Sequence, residues 1–418
     1  MPQHTNPMAT QNSADQALVR ELNLSLALRH IHNSAPISRA QIAQATGLNK
    51  STVSSLVEYL LSHKLIHETG LNSVGTGRPA RILEINSQAG GIIGTELGVD
   101  FVAVALTDFT GNVLWRLTAD SDPADAQEKT LNQTLELIHK AIDYCKDQKL
   151  DLLGLGIAIP GTVNLDEGLL IFAPNLQWKN VPLRDFFTEH TGLKVFVEND
   201  ANAAAVAEHL FGAARQCQDF IFVFAGVGIG GGLFLNGDLH RGNVGYAGEI
   251  GHTPIMAEPF QAPCYCGNRG CWETYANQLS IIRRVQARLE TKRSSIIPQL
   301  MEHQNAHLSI SIIKQAADAG DKETIEALSE TGTAMGIGFL ALINILNPEK
   351  IILGGPLSIV GNYLLPSIKD TAVKHSLPEI SPKVDILLSN FETDASLMGA
   401  VSIVVDDILS NPTHIERR

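Results

Sequence analysis

Gly248-Glu249-Ile250-Gly251-His252 and, after eleven residues, Cys264-Tyr265-Cys266-Gly267-Asn268-Arg269-Gly270-Cys271-Trp272-Glu273 form the segment on which the reading of this chain turns. Three thiols (Cys264, Cys266, Cys271) and the imidazole of His252 are the four donors of a closed tetrahedral Zn2+ shell. Such a shell leaves no position for water, so the metal it implies is structural. Buried free cysteines are the plainer alternative, but cysteines separated by one and by four residues, with glycines at the bends, are poorly explained by packing alone. Only five cysteines occur in 418 residues, and the crowding of three within eight positions speaks for metal in a reducing compartment rather than for a disulfide scaffold. Glu249 and Glu273 flank the four donors, so a loop rigidified by metal would hold both carboxylates against one pocket.

Upstream, 11 glycines fall among the 40 residues from Gly212 to Gly251, including Gly226-Val227-Gly228-Ile229-Gly230-Gly231-Gly232, against an average of roughly 7%. Glycine after a strand lets the backbone approach a phosphate or a sugar closely, although tight turns alone use the same residue. Four further apolar runs end in similar fashion: Leu152–Ile159 in Pro160-Gly161, Val195–Val197 in Glu198-Asn199-Asp200, Phe220–Phe224 in the glycine cluster, and Ile351–Leu353 in Gly354-Gly355-Pro356. Strands that end in glycine or a carboxylate and then feed helices predict an α/β architecture with its ligand at the strand C-termini. Carboxylates with an amide are suited to accepting hydrogen bonds from several hydroxyls. Each carboxylate taken singly also fits a surface or capping role.

The first 86 residues differ in texture. Residues 1–17 are polar and aperiodic and are expected to be a disordered tail. From Leu18 a helical pattern begins, with Leu18, Leu22 and Leu26 on one face. Ser38-Arg39-Ala40-Gln41 has the form of a capping box, Thr46-Gly47-Leu48 a tight turn, and Asn49 caps a helix whose stripe is Val53, Leu56, Val57, Leu60 and Leu61. Two short alternating runs follow, Leu65–Glu68 and Arg81–Ile85, joined by Gly75-Thr76-Gly77-Arg78-Pro79. Helix, short helix, turn, helix and wing is the winged helix-turn-helix layout over residues 18–86. In it Lys50 is placed for a phosphate, Ser51, Thr52 and Ser55 for base edges or phosphates, and Arg78 for phosphate or minor groove. A module that touches only protein has the same layout.

Charge divides at the same place. The chain carries 31 Lys and Arg against 44 Asp and Glu, net −13, which excludes a surface that coats nucleic acid throughout. Residues 1–86 hold 7 basic and 5 acidic side chains, net +2, while the remainder holds 24 and 39, net −15. The pattern is a small basic head on an acidic body. No charged-then-apolar leader opens the chain, and the apolar stretch Met335–Ile343 falls short of the roughly 18 residues a membrane span needs. A cytoplasmic protein with no membrane partner is expected.

Taken together, Glu249-x-Gly251-His252, Cys264-x-Cys266-Gly267-x-x-Gly270-Cys271-x-Glu273, the glycine cluster and Glu198-Asn199-Asp200-Ala201-Asn202 resemble the ROK family of repressors, open reading frames and sugar kinases. The resemblance runs from about Gly91 to the C-terminus, and the head with Gly77-Arg78-Pro79 is similar to the repressor branch, of the xylose or glucose type. It implies two actin-like (ribonuclease H-like, sugar-kinase-type) α/β lobes. The first comprises 87–210 plus 395–418, and the second, 211–394, carries the zinc loop 252–271. It also implies a sugar in the cleft, contacted by Asn199, Asp200, Glu249, His252 and Glu273, with Gly161 near it and His252 serving zinc as well. Asp200 then matches the kinases' general base. Family kinases open the first lobe with Asp-x-Gly-Gly-Thr, whereas this chain has Glu96-Leu97-Gly98-Val99-Asp100, which places negative charge where nucleotide phosphates would sit. A few kcal/mol of repulsion in a poorly screened cleft is expected, in order of magnitude, to weaken ATP binding severely.

The expectation is a sugar-responsive repressor of carbohydrate-metabolism genes, a homodimer or dimer of dimers on operator DNA, with a neutral aldose such as xylose or glucose as effector and no catalysis. An active ATP-dependent sugar kinase is the alternative, and a repressor that answers to a partner protein is a third reading. Asn175-Leu176-Gln177-Trp178 is a further stretch that can bring an amide or aromatic group to the ligand.

Overall fold

The computed structural model describes residues 7–72, 80–256, 261–291, 294–377, 379 and 383–415. The head opens with α1 (Pro7–Ser34), followed by β1 (Ile37–Ser38), α2 (Arg39–Thr46), α3 (Lys50–Ser62), β2 (Ile66–Asn72) and β3 (Ala80–Ile85). The three strands pair in the order β1-β3-β2, all antiparallel. Both predicted caps are present. Ser38 and Gln41 form a reciprocal capping box, Asn49 Oδ1 accepts the Thr52 N–H at 2.8 Å, and Gly47, with φ of 72°, ends α2 in the left-handed region.

Residues 7–17, within the expected tail, form the start of α1. Pro7 takes the first helical position, and no further glycine or proline occurs before Pro36 to end the helix. The face of α1 that packs is not the expected one: Leu24, Ala27, Leu28 and Ile31 are fully buried, whereas Leu18 and Leu22 are about 60% exposed. A leucine spacing of four matches a helix but does not say which of two apolar stripes meets the core.

The body holds two five-stranded sheets. The first contains β4 (Gly91–Leu97), β5 (Phe101–Thr107), β6 (Val113–Asp120), β7 (Leu152–Ile159) and, after the small hairpin sheet of β8 (Thr162–Asn164), β9 (Leu169–Ala173) and β10 (Trp178–Val181), β11 (Val195–Asn199). The second contains β12 (Phe220–Ala225), β13 (Ile229–Leu235), β14 (Asp238–Leu239), β15 (Lys350–Gly354) and β16 (Asp385–Leu388). Their orders are β6-β5-β4-β7-β11 and β14-β13-β12-β15-β16. In each, the first strand of a three-stranded antiparallel meander pairs parallel with a fourth strand, which pairs parallel with the fifth. The same topology thus occurs twice, as expected of two related lobes.

Helices α4 (Gln127–Asp147) and α5 (Leu183–Thr191) cover one face of the first sheet, and α6 (Asp200–Leu210) leaves the end of β11. The second sheet is covered by α8 (Gln278–Thr291), which follows the single turn α7 (Glu273–Ala276), and by α9 (Ile297–Gln304), α10 (Ile310–Asp318), α11 (Lys322–Leu346) and α12 (Gly361–His375). Among the described residues, α11 is long and apolar enough to cross a membrane by length and composition. It lies against α8 and α12, with 56% of its apolar window buried inside the protein.

The final helix, α13 (Ala395–Ser410), returns to the first sheet and packs on β4 and β7 and alongside α6. Glycine makes this approach possible, because a Cβ on Gly156 would run into the Ala400 carbonyl and one on Gly399 into the Ala203 backbone. The far end of α13 meets α1, so the head docks on the helix that closes the first lobe.

Candidate functional site

Five strand ends meet at one cleft between the sheets, a cavity of about 620 Å³, and Gly161, Asn199, Asp200, Glu249, His252 and Glu273 all line it. Gly161, Asn199 and Asp200 converge because the parallel strands β7 and β11 deliver their C-terminal ends to one edge of the sheet, whereas Glu249 and His252 come from the long connection between β14 and α7, and Glu273 opens α7.

Asn199 is the N-cap of α6: its Oδ1 accepts the N–H groups of Ala201 and Asn202 at 3.0 and 3.1 Å, and its Nδ2 donates to Gly161 O at 3.0 Å. The amide oxygen is thus committed to the helix, and the amide also supports the Asp200 carboxylate by a side-chain hydrogen bond. Gly161 has φ of +113°, and a Cβ there would meet the Phe172 carbonyl, so the Asn199 acceptor depends on glycine. Asp200 follows as the first residue of α6 and is 9% exposed. Burial raises its carboxyl to about 6, the Glu249 charge adds to this, and the Ala201 N–H opposes it.

From the other lobe, the Glu273 carboxylate reaches Gly228 and Ile229 of the glycine cluster, accepting the Ile229 N–H at 3.4 Å. His252 stands between the two glutamates, with Nε2 3.7 Å from Glu249 and Nδ1 3.6 Å from Glu273. Burial, and then the Glu273 charge against the opposing pull of His252, raises Glu249.

The four predicted metal donors are assembled. Those of His252, Cys264, Cys266 and Cys271 all lie within 4.8 Å of one another, with Cys264 Sγ 3.6 Å from His252 Nδ1 and Cys266 Sγ 3.8 Å from Cys271 Sγ. Zinc bonds of ~2.0–2.3 Å in a tetrahedron set donor atoms ~3.5–3.8 Å apart; the 3.6 and 3.8 Å pairs match this, and the wider pairs, within 4.8 Å, would draw in by up to about 1 Å around a four-coordinate ion. Burial pushes the Cys264 and Cys271 thiols up, an effect that a bound cation would offset. With Nδ1 turned toward the cysteines, His252 keeps Nε2 toward Glu249 and the cleft.

Glu96, Gly98, Val99 and Asp100 line the same cleft. Glu96 is 4% exposed, and burial, with the charges of Asp200 and Asp394, pushes its carboxyl well above the usual range. Asp394 is itself paired with Arg116 at 2.7 Å. The cleft is thus more acidic than the motifs indicated. Asn175 lines it, but Trp178 is 5% exposed within the first-lobe core and does not reach it. Burial on the hairpin sheet outweighs proximity in sequence.

On the head, Lys50, Ser51 and Ser55 are exposed and Thr52 is half-buried at the start of α3, with Ser51 Oγ donating to Asn49 Oδ1 at 2.7 Å. Arg78 lies outside the described residues. Arg39 and Arg81 are engaged with Glu68, and Arg39 also with Glu58, so they are not free cations. The burial of Glu96 beside Asp200 and the ion pair between Arg241 and Glu198 escaped the sequence reading. The second had no signal, since its partners lie 43 residues apart in separate lobes.

The chain is 32% identical over 96% of its length to the xylose repressor of Caldicellulosiruptor bescii, covering 99% of that protein. It superposes with a TM-score of 0.79 and 29% identity on a crystallised ROK family transcriptional regulator, a homologue of the Escherichia coli Mlc protein, covering 94% of this chain and 97% of that one. A Streptomyces griseus ROK family glucokinase, crystallised with glucose and AMPPNP, gives a TM-score of 0.66 at 28% identity and covers 75% of this chain and 99% of its own. The share it leaves unmatched is of the size of the head. The ROK family model itself matches residues 92–407, which takes in both sheets, the cleft and the cysteine loop, and the chain therefore belongs to the ROK family.

Proposed function

We propose that this chain is a sugar-responsive, DNA-binding transcriptional repressor of carbohydrate-metabolism genes. The observation that carries the reading is the match of head and body together to a xylose repressor over nearly the full length of both proteins, beside a cleft that keeps Asp200, Glu249 and Glu273. In this reading Asp200, Glu249, His252 and Glu273 accept or donate hydrogen bonds to sugar hydroxyls, Asn199 joins them, and Gly161 allows the ring to approach. A neutral aldose, xylose or glucose, suits the site better than a sugar phosphate, because Asp100 faces the same space and repels anions. Zn2+ on His252, Cys264, Cys266 and Cys271 would fix the loop and with it the positions of Glu249 and Glu273.

In the head, Lys50 takes a phosphate and Ser51, Thr52 and Ser55 approach the major groove, with Arg78 on the wing. A homodimer supplies the paired half-sites such heads use, and a protein that reads operator DNA works in the cytoplasm. Sugar alters operator affinity by its differential affinity for two arrangements of the lobes, ~1–3 kcal/mol in typical cases. The test is retention of the protein's own promoter DNA on a gel at two salt concentrations with and without xylose and glucose. Salt-sensitive retention that sugar changes is expected, and retention indifferent to every sugar would refute the reading.

The second reading, a sugar kinase, is favoured by one observation: Asp200, held at about 6, is suited to remove a hydroxyl proton. The acidic loop from Glu96 to Asp100 opposes it. ADP release coupled to sugar, at about 1 per second or faster, would establish the kinase.

A further inference from the structure

We propose that Arg241 is a positioning residue that clamps the two lobes through Glu198 and so holds the two halves of the sugar site in register. This rests on the reading of the cleft as a sugar site. Glu198 is the penultimate residue of the first-lobe strand β11 and its side chain is 5% exposed, and Arg241 follows β14 of the second sheet. Both Nη2 and Nε of Arg241 donate to Glu198 Oε2, at 2.7 and 3.3 Å. The other carboxylate oxygen accepts the Asn199 backbone N–H at 3.0 Å and the Asn202 amide at 3.4 Å. One carboxylate therefore receives the second lobe on one oxygen and the start of α6, with Asn199 and Asp200, on the other.

Arg241 is equally well anchored on its own side. His240 donates its N–H to Leu233 O at 2.7 Å, Ala247 to Arg241 O at 3.1 Å, and Gly231 to Gly248 O at 2.8 Å. These bonds tie the loop to β13 just before Glu249. Neither Arg241 nor Glu198 lines the main cleft. They line a separate cavity of about 30 Å³ with Gly161, Asn199, Asn202 and Glu249, which has space for about one water and none for a sugar. The pair therefore acts on ligand groups without touching a ligand. Lobes that open to admit a sugar and close on it exist in two arrangements, and apparent affinity falls with the population of the competent one. By holding Asp200 opposite Glu249 before the sugar arrives, the clamp raises that population. Lysine would keep the charge but lose the second donor.

The experiment compares the full-length protein with R241M, R241K, E198Q and the double variant E198Q/R241M. Small-angle scattering gives the radius of gyration without ligand, calorimetry the affinity for xylose and glucose, and thermal denaturation the stability. R241M is expected to expand the unliganded protein and to weaken sugar binding roughly tenfold or more, with R241K between it and the native protein. The double variant, which leaves no unpaired buried carboxylate, is expected to recover stability while remaining expanded and weak for sugar. A double variant with native radius and native affinity would overturn the clamp and leave Arg241 as a merely structural partner of Glu198. If the native protein binds neither sugar, the sugar reading fails, and scattering alone decides the clamp: no expansion in R241M rejects it.

Discussion

Arg29, on the head helix α1, pairs with Asp406, near the end of α13, at 2.9 Å, and also donates to Ser410 Oγ at 2.6 Å. At the other end of α13, Ser396 Oγ donates to the backbone carbonyl of Asp200 at 3.2 Å. A single helix of 16 residues therefore touches the cleft at one end and the head at the other. Glu21 of α1 adds a second tie, to Thr413, and His32 packs edge-on to Phe211 just beyond α6.

Because Arg29 and Asp406 are 36% and 44% exposed, their pairing adds little to stability, ~1 kcal/mol at most. R29A and D406N are thus expected to melt within a few degrees of the native protein and to bind sugar with unchanged affinity. The sugar-induced change in operator affinity should shrink several-fold. Calorimetry and gel retention on the same preparations check this, and full retention of the sugar response would exclude the pair from the coupling.

Asp200 carries an ionisation cost. Its carboxyl is raised from 3.8 to about 6 in the folded protein, so the unfolded chain releases this proton first, and the contribution of the group to stability falls as pH rises from about 4 to about 6. D200N removes the cost, and at pH 7 it is expected to stabilise the fold by up to about 3 kcal/mol, with little effect at pH 4. Sugar binding should be lost in the same variant. Denaturant titrations at the two pH values supply the comparison, and equal effects at both would show that the charge is not what is being relieved.

Metal removal should act on the sugar site at a distance. C271S takes away a fully buried donor and is expected to abolish a stoichiometry of one zinc per chain, measured by elemental analysis. Sugar affinity should fall by about ten- to a hundredfold through the loosened Glu249 and Glu273. Native sugar affinity in a metal-free variant would separate the loop from the site.

Two glycines test close packing against backbone freedom. G156A should cost more than about 3 kcal/mol or prevent folding, since the added carbon overlaps the Ala400 carbonyl of α13. G47A, where nothing lies within 4 Å but φ is +72°, should cost only ~1 kcal/mol. Thermal melts distinguish the two, and a mild G156A would mean that α13 can shift on the sheet.

Much of the site was legible because its chemistry is local. His252 and the three cysteines sit within 20 residues and answer to a metal's coordination number, and Ser38, Gly47 and Asn49 answer to the backbone needs of helix ends. The Glu96–Asp100 loop was read for the charge Asp100 brings to the cleft, yet Glu96 was not read as a buried carboxyl beside Asp200, because burial is a property of the neighbours. Trp178 failed in the opposite sense: close in sequence to Asn175, it is drawn into the core by the area it buries. The face of α1 could not be chosen either, since both of its stripes are apolar and only the docked head selects Leu24 and Leu28 over Leu18 and Leu22.

The amino-acid sequence by itself determined the α/β class, the basic head apart from the acidic body, the family and the four side chains of the candidate metal cluster, because periodicity, caps and ligand spacing are short-range and survive in one dimension. Tertiary structure alone decided that β11 and the loop after β14 meet at Glu198 and Arg241, that Glu96 faces Asp200, and that α13 joins the cleft to the head. Those relations depend on how two sheets of the same topology are set against each other, and charge pairing across such a junction leaves no periodic trace in the chain.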